Sequence, residues 1–288
     1  MKRALVLSGG GNVGVAWETA ALAGLMDGGV DVRDADLIIG TSAGSVVGTS
    51  IAHGRDPREL LRLQREEPPR PLGNGPTALD TASAAQAFQL WATFDTMTED
   101  ACAQVGRIAL GATTMAEADW IAGFAQNDWP GWPQKQLLIT AVDAESGEFR
   151  AIDSTQSVPI DVACAASCAV PALFPTVTID GRRYTDGGVR SFTSADLANR
   201  IQPDVVLIVA VFGVVERGVH AIAARQLAAE TAGLEAAGAS VRTIRMDAAA
   251  IEASGMNLMD PTRRGPTADA GERHGRKLGA ELAEWWSG

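Results

Sequence analysis

Twice in its first 54 residues the chain passes from a short apolar run, through a glycine-bearing turn, into a segment of helical spacing. Ala4-Leu5-Val6-Leu7 runs into Ser8-Gly9-Gly10-Gly11-Asn12-Val13-Gly14, after which Trp17, Ala20, Ala21, Gly24 and Leu25 recur at helical intervals until Gly28-Gly29. Leu37-Ile38-Ile39 then meets Gly40-Thr41-Ser42-Ala43-Gly44, and a second helix is expected to reach His53-Gly54. Strands too apolar to alternate and separated by helices are buried on both faces, so the pattern predicts a wound α/β sheet.

The remainder extends that pattern. Gln136 to Val142 reads as a strand that Glu145-Ser146-Gly147 folds back onto Phe149 to Ile152. Pro159 opens a small-residue helix expected to end at Val170-Pro171, and Thr176 to Ile179 turns at Asp180-Gly181 toward Tyr184-Thr185-Asp186. Strands at 205–211 and 241–246, an alanine-rich helix near 218–236 and a closing helix from about 267 to 286 complete the reading. Residues 55–80, rich in proline, arginine and glycine, look like a surface excursion, and the apolar helical stretch 81–130 follows it. The 288 residues therefore predict one domain, with a surface or cap insertion over 55–130.

Charge and composition narrow the function. With 35 acidic against 24 basic groups the net charge is −11, which repels phosphate backbones and argues against a nucleic-acid partner. The apolar run after Met1-Lys2-Arg3 is too short for a signal peptide, and no run nears about 18 apolar residues, so a cytoplasmic protein is expected, with peripheral membrane contact left open. Cys102, Cys164 and Cys168 form no complete disulfide set and read as thiols. The widely separated His53, His220 and His274 have no metal-ligand spacing, and the acidic residues form no calcium loop, so neither metal nor cofactor is expected. No pattern in the sequence specifies an oligomeric state.

The Gly40–Gly44 segment has the form G-x-S-x-G between strand and helix. A sharp turn there lifts a serine clear of the sheet, and small neighbours avoid clashes in the strained backbone. Ser42 is thus either a nucleophile at a helix N-terminus or a residue that simply caps the helix. Gly9, Gly11 and Gly14 also satisfy G-x-G-x-x-G, but the acidic residue expected about 20 positions on, at the end of the second strand, is replaced by the Ser42 turn. A Walker loop lacks its lysine. The competing role is an oxyanion hole, in which unobstructed N–H groups converge on a developing negative oxygen.

A nucleophilic serine needs a base. His53 lies at the far end of the Ser42 helix, about 16 Å away along its axis, and His220 and His274 have no motif around them. Asp186, followed by Gly187-Gly188, is the better candidate; the same residues also describe an ordinary Asp-Gly turn.

Taken in order, Ser8 to Gly14, Gly40 to Gly44, Ala166-Ser167-Cys168-Ala169-Val170-Pro171-Ala172-Leu173-Phe174-Pro175 and Asp186-Gly187-Gly188 resemble the patatin-like phospholipase family, and Asn257 to Pro261 is similar to its bacterial members. The resemblance implies a three-layer α/β/α fold with a mostly parallel sheet. It also implies a Ser42–Asp186 dyad without histidine, oxyanion donors from Gly10, Gly11 and, less firmly, Gly9, and a lipid or other acyl-ester substrate cleaved through an acyl-enzyme. The stretch 166–175 would shape the acyl pocket. Members often carry lysine or arginine where Val13 stands, which weakens phospholipase relative to general esterase. A related hydrolase of nonlipid esters and a noncatalytic binding or scaffold protein with a retained fold are the alternatives.

Overall fold

The computed structural model describes residues 1–66, 80–212 and 218–288. Strand β1 (Arg3–Leu7), helix α1 (Gly11–Asp27), β2 (Leu37–Gly40) and α2 (Ala43–Ala52) form the first two units. Helices α3 (Pro57–Glu66), α4 (Thr81–Trp91), α5 (Glu99–Gly111) and α6 (Glu117–Ala125) precede the hairpin β3 (Gln136–Asp143) and β4 (Phe149–Ile152). Then come α7 (Ile160–Ser167), the hairpin β5 (Val177–Ile179) and β6 (Arg182–Asp186), β7 (Val205–Ala210), α8 (Val219–Ala236), β8 (Ser240–Arg245), α9 (Ala248–Ser254) and α10 (Arg264–Ser287).

The sheet runs β5-β6-β3-β2-β1-β7-β8, with β4 also paired to β3. Strands β3, β2, β1, β7 and β8 are parallel to their neighbours in that run, and β6 and β4 are antiparallel to β3. Alternation along each strand divides the core. Leu5, Leu7, Val205, Leu207 and Val209 join one apolar cluster, which reaches α1, α2, α6, α7 and α10. Ala4, Val6, Val206, Ile208 and Ala210 join a second with Leu227 and Leu234 of α8. Helices thus cover both faces of a mixed, mostly parallel sheet, the expected α/β/α arrangement.

Close helix contact seats α1. Its partner α10 presents Gly271, Gly275 and Gly279 four residues apart on one face, as helical geometry requires. A methyl group added at Gly275 would stand 2.1 Å from the Ala21 carbonyl oxygen, and one at Gly24 2.3 Å from that of Glu272. Only glycines admit this approach.

Three differences from the sequence reading have local causes. Pro57–Glu66, expected as irregular surface, is helical; Pro57 occupies the first turn, where its missing N–H costs nothing, and Leu61 anchors the helix among Ala16, Ala20, Ala23 and Ala268. Residues 67–79 of that excursion lie outside the described residues. Helix α7 stops at Ser167 rather than near Val170, with Cys168 closing it through an N–H bond to the Cys164 carbonyl. The short α9, unforeseen in the sequence, is capped by Asp247, whose carboxylate accepts the Ala250 N–H at 2.8 Å.

The stretch 81–130 is helical, as expected, and packs in two places. Helix α4 lays Trp91 against Phe192, ring centroids 5.0 Å apart and nearly parallel. Helix α6 lays Trp120 on Phe174 at 4.0 Å and donates its indole N–H to the Ala165 carbonyl at 2.9 Å. No helix among the described residues is long and apolar enough to cross a membrane.

Candidate active site

The register of β3 brings two loops together. Gly40, the last residue of β2, pairs with Ile139, and Asp186, the last residue of β6, pairs with Ala141. Ser42, two residues beyond Gly40, therefore reaches the same level of the sheet as Asp186. Thr140 stands between: its hydroxyl meets that of Thr41 at 2.8 Å, and a methyl group added at Gly187 would lie 2.1 Å from it. The shared edge of the ladder, with glycine required at the tightest approach, joins residues 144 positions apart in sequence.

Ser42 has φ 51° and ψ −118°, a positive-φ conformation that strains a residue with a Cβ by about 1–3 kcal/mol. Its side chain makes no capping hydrogen bond to α2, which removes the helix-cap reading. Instead the side chain lies close enough to the Asp186 carboxylate to favour its ionised form, and the Ser42 N–H donates to Ser167 Oγ at 2.9 Å. Gly44 permits the turn: a methyl group there would stand 2.2 Å from the Leu7 carbonyl oxygen.

Asp186 combines both of its sequence readings. It does close an Asp-Gly turn, accepting the Gly188 N–H at 2.7 Å, and the same carboxylate faces Ser42. Burial pushes its pKa from 3.8 up to about 7, against the lowering effects of the Gly188 N–H and the Ser42 side chain. Ser42 and Asp186 are only 6% and 4% exposed, so water screens their interaction poorly.

The first glycine turn lies beside this pair because β1 and β2 are parallel neighbours. A methyl group added at Gly9 would be 3.5 Å from Ser42 Cβ. The Gly9 N–H, however, donates to the Phe192 carbonyl at 2.8 Å, so the expectation of Gly9 as an oxyanion donor is corrected: that hydrogen is already committed. Among the described residues the Gly10 and Gly11 N–H groups have no protein acceptor, as befits the first residues of α1. Val13 is wholly buried in the core, and its N–H is taken by the Leu258 carbonyl at 3.0 Å. The Asn12 amide likewise donates to the Met259 carbonyl at 3.0 Å, so Asn257–Pro261 packs on this turn.

The proline-bearing stretch packs beside the serine, as expected. Besides the Ser167 bond, Cys168 Sγ lies 3.7 Å from Ser45 Oγ, and the Ala169 carbonyl accepts both the Asp186 N–H and the Thr185 hydroxyl, at 3.0 and 2.7 Å. Burial pushes the Cys102 and Cys164 thiols up to about 12, and all three cysteines are free. The histidines are engaged elsewhere: His53 with the Gly131 carbonyl, His220 against the Phe212 ring, and His274 with Asp247. No metal-binding group of histidine, cysteine and carboxylate residues occurs among the described residues.

Two participants escaped the sequence reading. Ser8 appeared there only as the start of the glycine turn, yet its hydroxyl accepts the Val211 N–H at 2.9 Å. Glu18 of α1 is fully buried with one carboxyl oxygen 2.9 Å from the Ser8 nitrogen, and burial holds its pKa well above the usual carboxylate range. An acid surrounded in sequence by Trp17 and Thr19 carries no signal of such burial.

The fold and site define a three-layer α/β/α protein with a strained serine beyond the end of β2 and a buried carboxylate at the end of β6, with β3 between those two strands. A profile of the patatin-like phospholipase family matches residues 5–199, and the chain belongs to that family of hydrolases. Its fold is similar to the crystal structure of VipD from Legionella pneumophila, with 13% identity, a TM-score of 0.50 and coverage of 97% of this chain and 67% of that one. The type III effector protein ExoU is also similar, with 15% identity, a TM-score of 0.44 and coverage of 99% of this chain and 53% of that one. The chain thus spans about two thirds of the first and half of the second. Comparison with curated proteins gave no match.

Proposed function

We propose that this chain is a serine-dependent lipid acyl hydrolase working through a Ser42–Asp186 dyad. The observation that carries the reading is a strained serine with no capping bond to its helix, buried beside a buried carboxylate. Ser42 Oγ attacks the ester carbonyl as its proton passes to ionised Asp186. The Gly10 and Gly11 N–H groups receive the resulting oxyanion, as the dipole of α1 favours. Collapse breaks the acyl–oxygen bond, and the leaving alcohol takes the proton from Asp186. Water then attacks the acyl-enzyme, gives a proton to Asp186 and releases the fatty acid; the proton returns to Ser42. None of these steps requires a cofactor.

Buried Val13 supports simple acyl esters at least as well as phospholipids, because no cation stands at that position of the glycine turn. The reading includes one catalytic domain with the 55–130 insertion beside it, a cytoplasmic location and peripheral contact with lipid.

The test is fatty-acid release from a graded panel of acyl esters and phospholipids by wild type and Ser42→Ala. Serine-dependent release is expected, strongest on simple esters. No release by wild type across the panel, or equal release by the variant, overturns the reading.

A further inference from the structure

Gly9, Gly10 and Gly11 carry no side chains with which to fix themselves, so the placement of the Gly10 and Gly11 N–H groups must come from their neighbours. Ser8 is the last residue before the turn and the point where its supports meet. Its N–H is shared between the Val209 carbonyl at 3.1 Å and Glu18 Oε1 at 2.9 Å. Its carbonyl accepts the Gly44 N–H from the nucleophile's helix at 2.9 Å. Its hydroxyl donates to the Gly9 carbonyl and accepts from Val211 N–H, both at 2.9 Å.

Among the described residues Glu18 is the side chain that hydrogen-bonds to this hub, with Oε1 3.3 Å from Ser8 Oγ as well. It sits two turns into α1, the helix whose first residues are Gly11 and Asn12. The carboxyl therefore links the body of the helix to the strand end, across the turn itself. Its second oxygen has no hydrogen-bond partner among the described residues, and the residue is entirely buried. A buried acid with one arm used is a poor device for stability alone, since an apolar residue of similar size would cost less.

We propose that Glu18 is a positioning residue for the reaction: through Ser8 it holds the glycine turn so that the Gly10 and Gly11 N–H groups point at the carbonyl oxygen Ser42 attacks. This rests on the hydrolase reading above. Burial favours the neutral form of the carboxyl, and in either form Oε1 accepts from Ser8, so the role asked of it is that of an acceptor with fixed geometry. Glutamine keeps the acceptor and the shape; leucine keeps only the shape.

The experiment compares wild type, Glu18→Gln, Glu18→Leu, Glu18→Met and Ser8→Ala on a short-chain soluble ester, with labelling by a fluorophosphonate serine probe and thermal unfolding in parallel. Displacing the turn by about 1 Å lowers turnover about 100-fold. Glu18→Leu is expected to lose kcat to that extent with KM within threefold, and Glu18→Gln to stay within fivefold of wild type in kcat. A folded Glu18→Leu with kcat within threefold of wild type overturns the proposal, as does Glu18→Gln falling as far as leucine. Should Glu18→Leu fail to fold, Glu18→Met, which keeps the length without the acceptor oxygens, decides: a kcat within threefold of wild type overturns the proposal and a kcat loss at constant KM supports it, while Ser8→Ala, which keeps the N–H to Glu18, is expected to lose less than either. Wild type that neither turns over nor takes up the probe overturns the hydrolase reading and this inference with it.

Discussion

Replacing Asp186 with asparagine separates the stability of this fold from its chemistry. Burial moves the Asp186 pKa from 3.8 to about 7, roughly three units, and each unit is worth about 1.4 kcal/mol. Between these values the folded chain keeps a proton that the unfolded chain has lost, so raising the pH lowers stability. The contribution is complete below about pH 3.8 and lost as pH rises through about 7, a change of the order of 4 kcal/mol. Asparagine does not ionise and still offers an oxygen to the Gly188 N–H. Asp186→Asn should therefore gain on wild type with pH, by about 4 kcal/mol between pH 4 and 9, read as the difference between urea unfolding curves at pH 4, 7 and 9. Turnover responds oppositely. In the proposed reaction Asp186 must be ionised, so wild-type kcat/KM at pH 6 should be about a tenth of its alkaline plateau, and the variant should have no such activity. A stability difference constant across this range, or an acid limb near pH 4, would refute the reasoning.

Two glycines make sharper steric tests. In Gly44→Ala the added methyl meets the Leu7 carbonyl oxygen at 2.2 Å, backbone that cannot step aside; a loss of about 3 kcal/mol or more is expected, seen as a Tm drop of roughly 6–12 °C, and an unchanged Tm would contradict the tight turn. Gly275→Ala drives a methyl into the Ala21 carbonyl oxygen at 2.1 Å, separating α1 from α10; thermal unfolding should show a loss of about 1–3 kcal/mol, whereas wild-type stability would mean that the helices are not in close contact.

The turns that hold Ser42 and Asp186 were legible because their tight geometry also dictates local sequence. Ser42 needs glycines at positions 40 and 44 to clear the backbone, and Gly187 lets the Asp186 turn pass Thr140, so motif and geometry coincide. Their convergence was less legible, since it depends on the register of β3, which pairs with one loop at Ile139 and the other at Ala141. Glu18 was silent for a different reason: nothing adjacent to it in sequence distinguishes a buried acid from an exposed one, and its partner Ser8 lies in another element. The Gly9 amide shows the limit of motif reasoning, because a glycine run suggests several donors while only the folded loop reveals that Phe192 has taken one. Glycines 271, 275 and 279 lie within a helix where composition suggests weakness, yet their lack of side chains lets the helix approach α1.

That approach has a consequence for how the molecule is made. Helix α1 and the glycine turn at its head leave the ribosome well before α10, and the groove along α1 is filled only when residues 264–287 arrive. Strand β1 likewise waits for β7 before both its edges are paired. Such distant pairings form late and slowly. The glycine turn is thus made well before the helix that seats α1, and a nascent chain would carry the Ser42 motif before the turn beside it is firmly held.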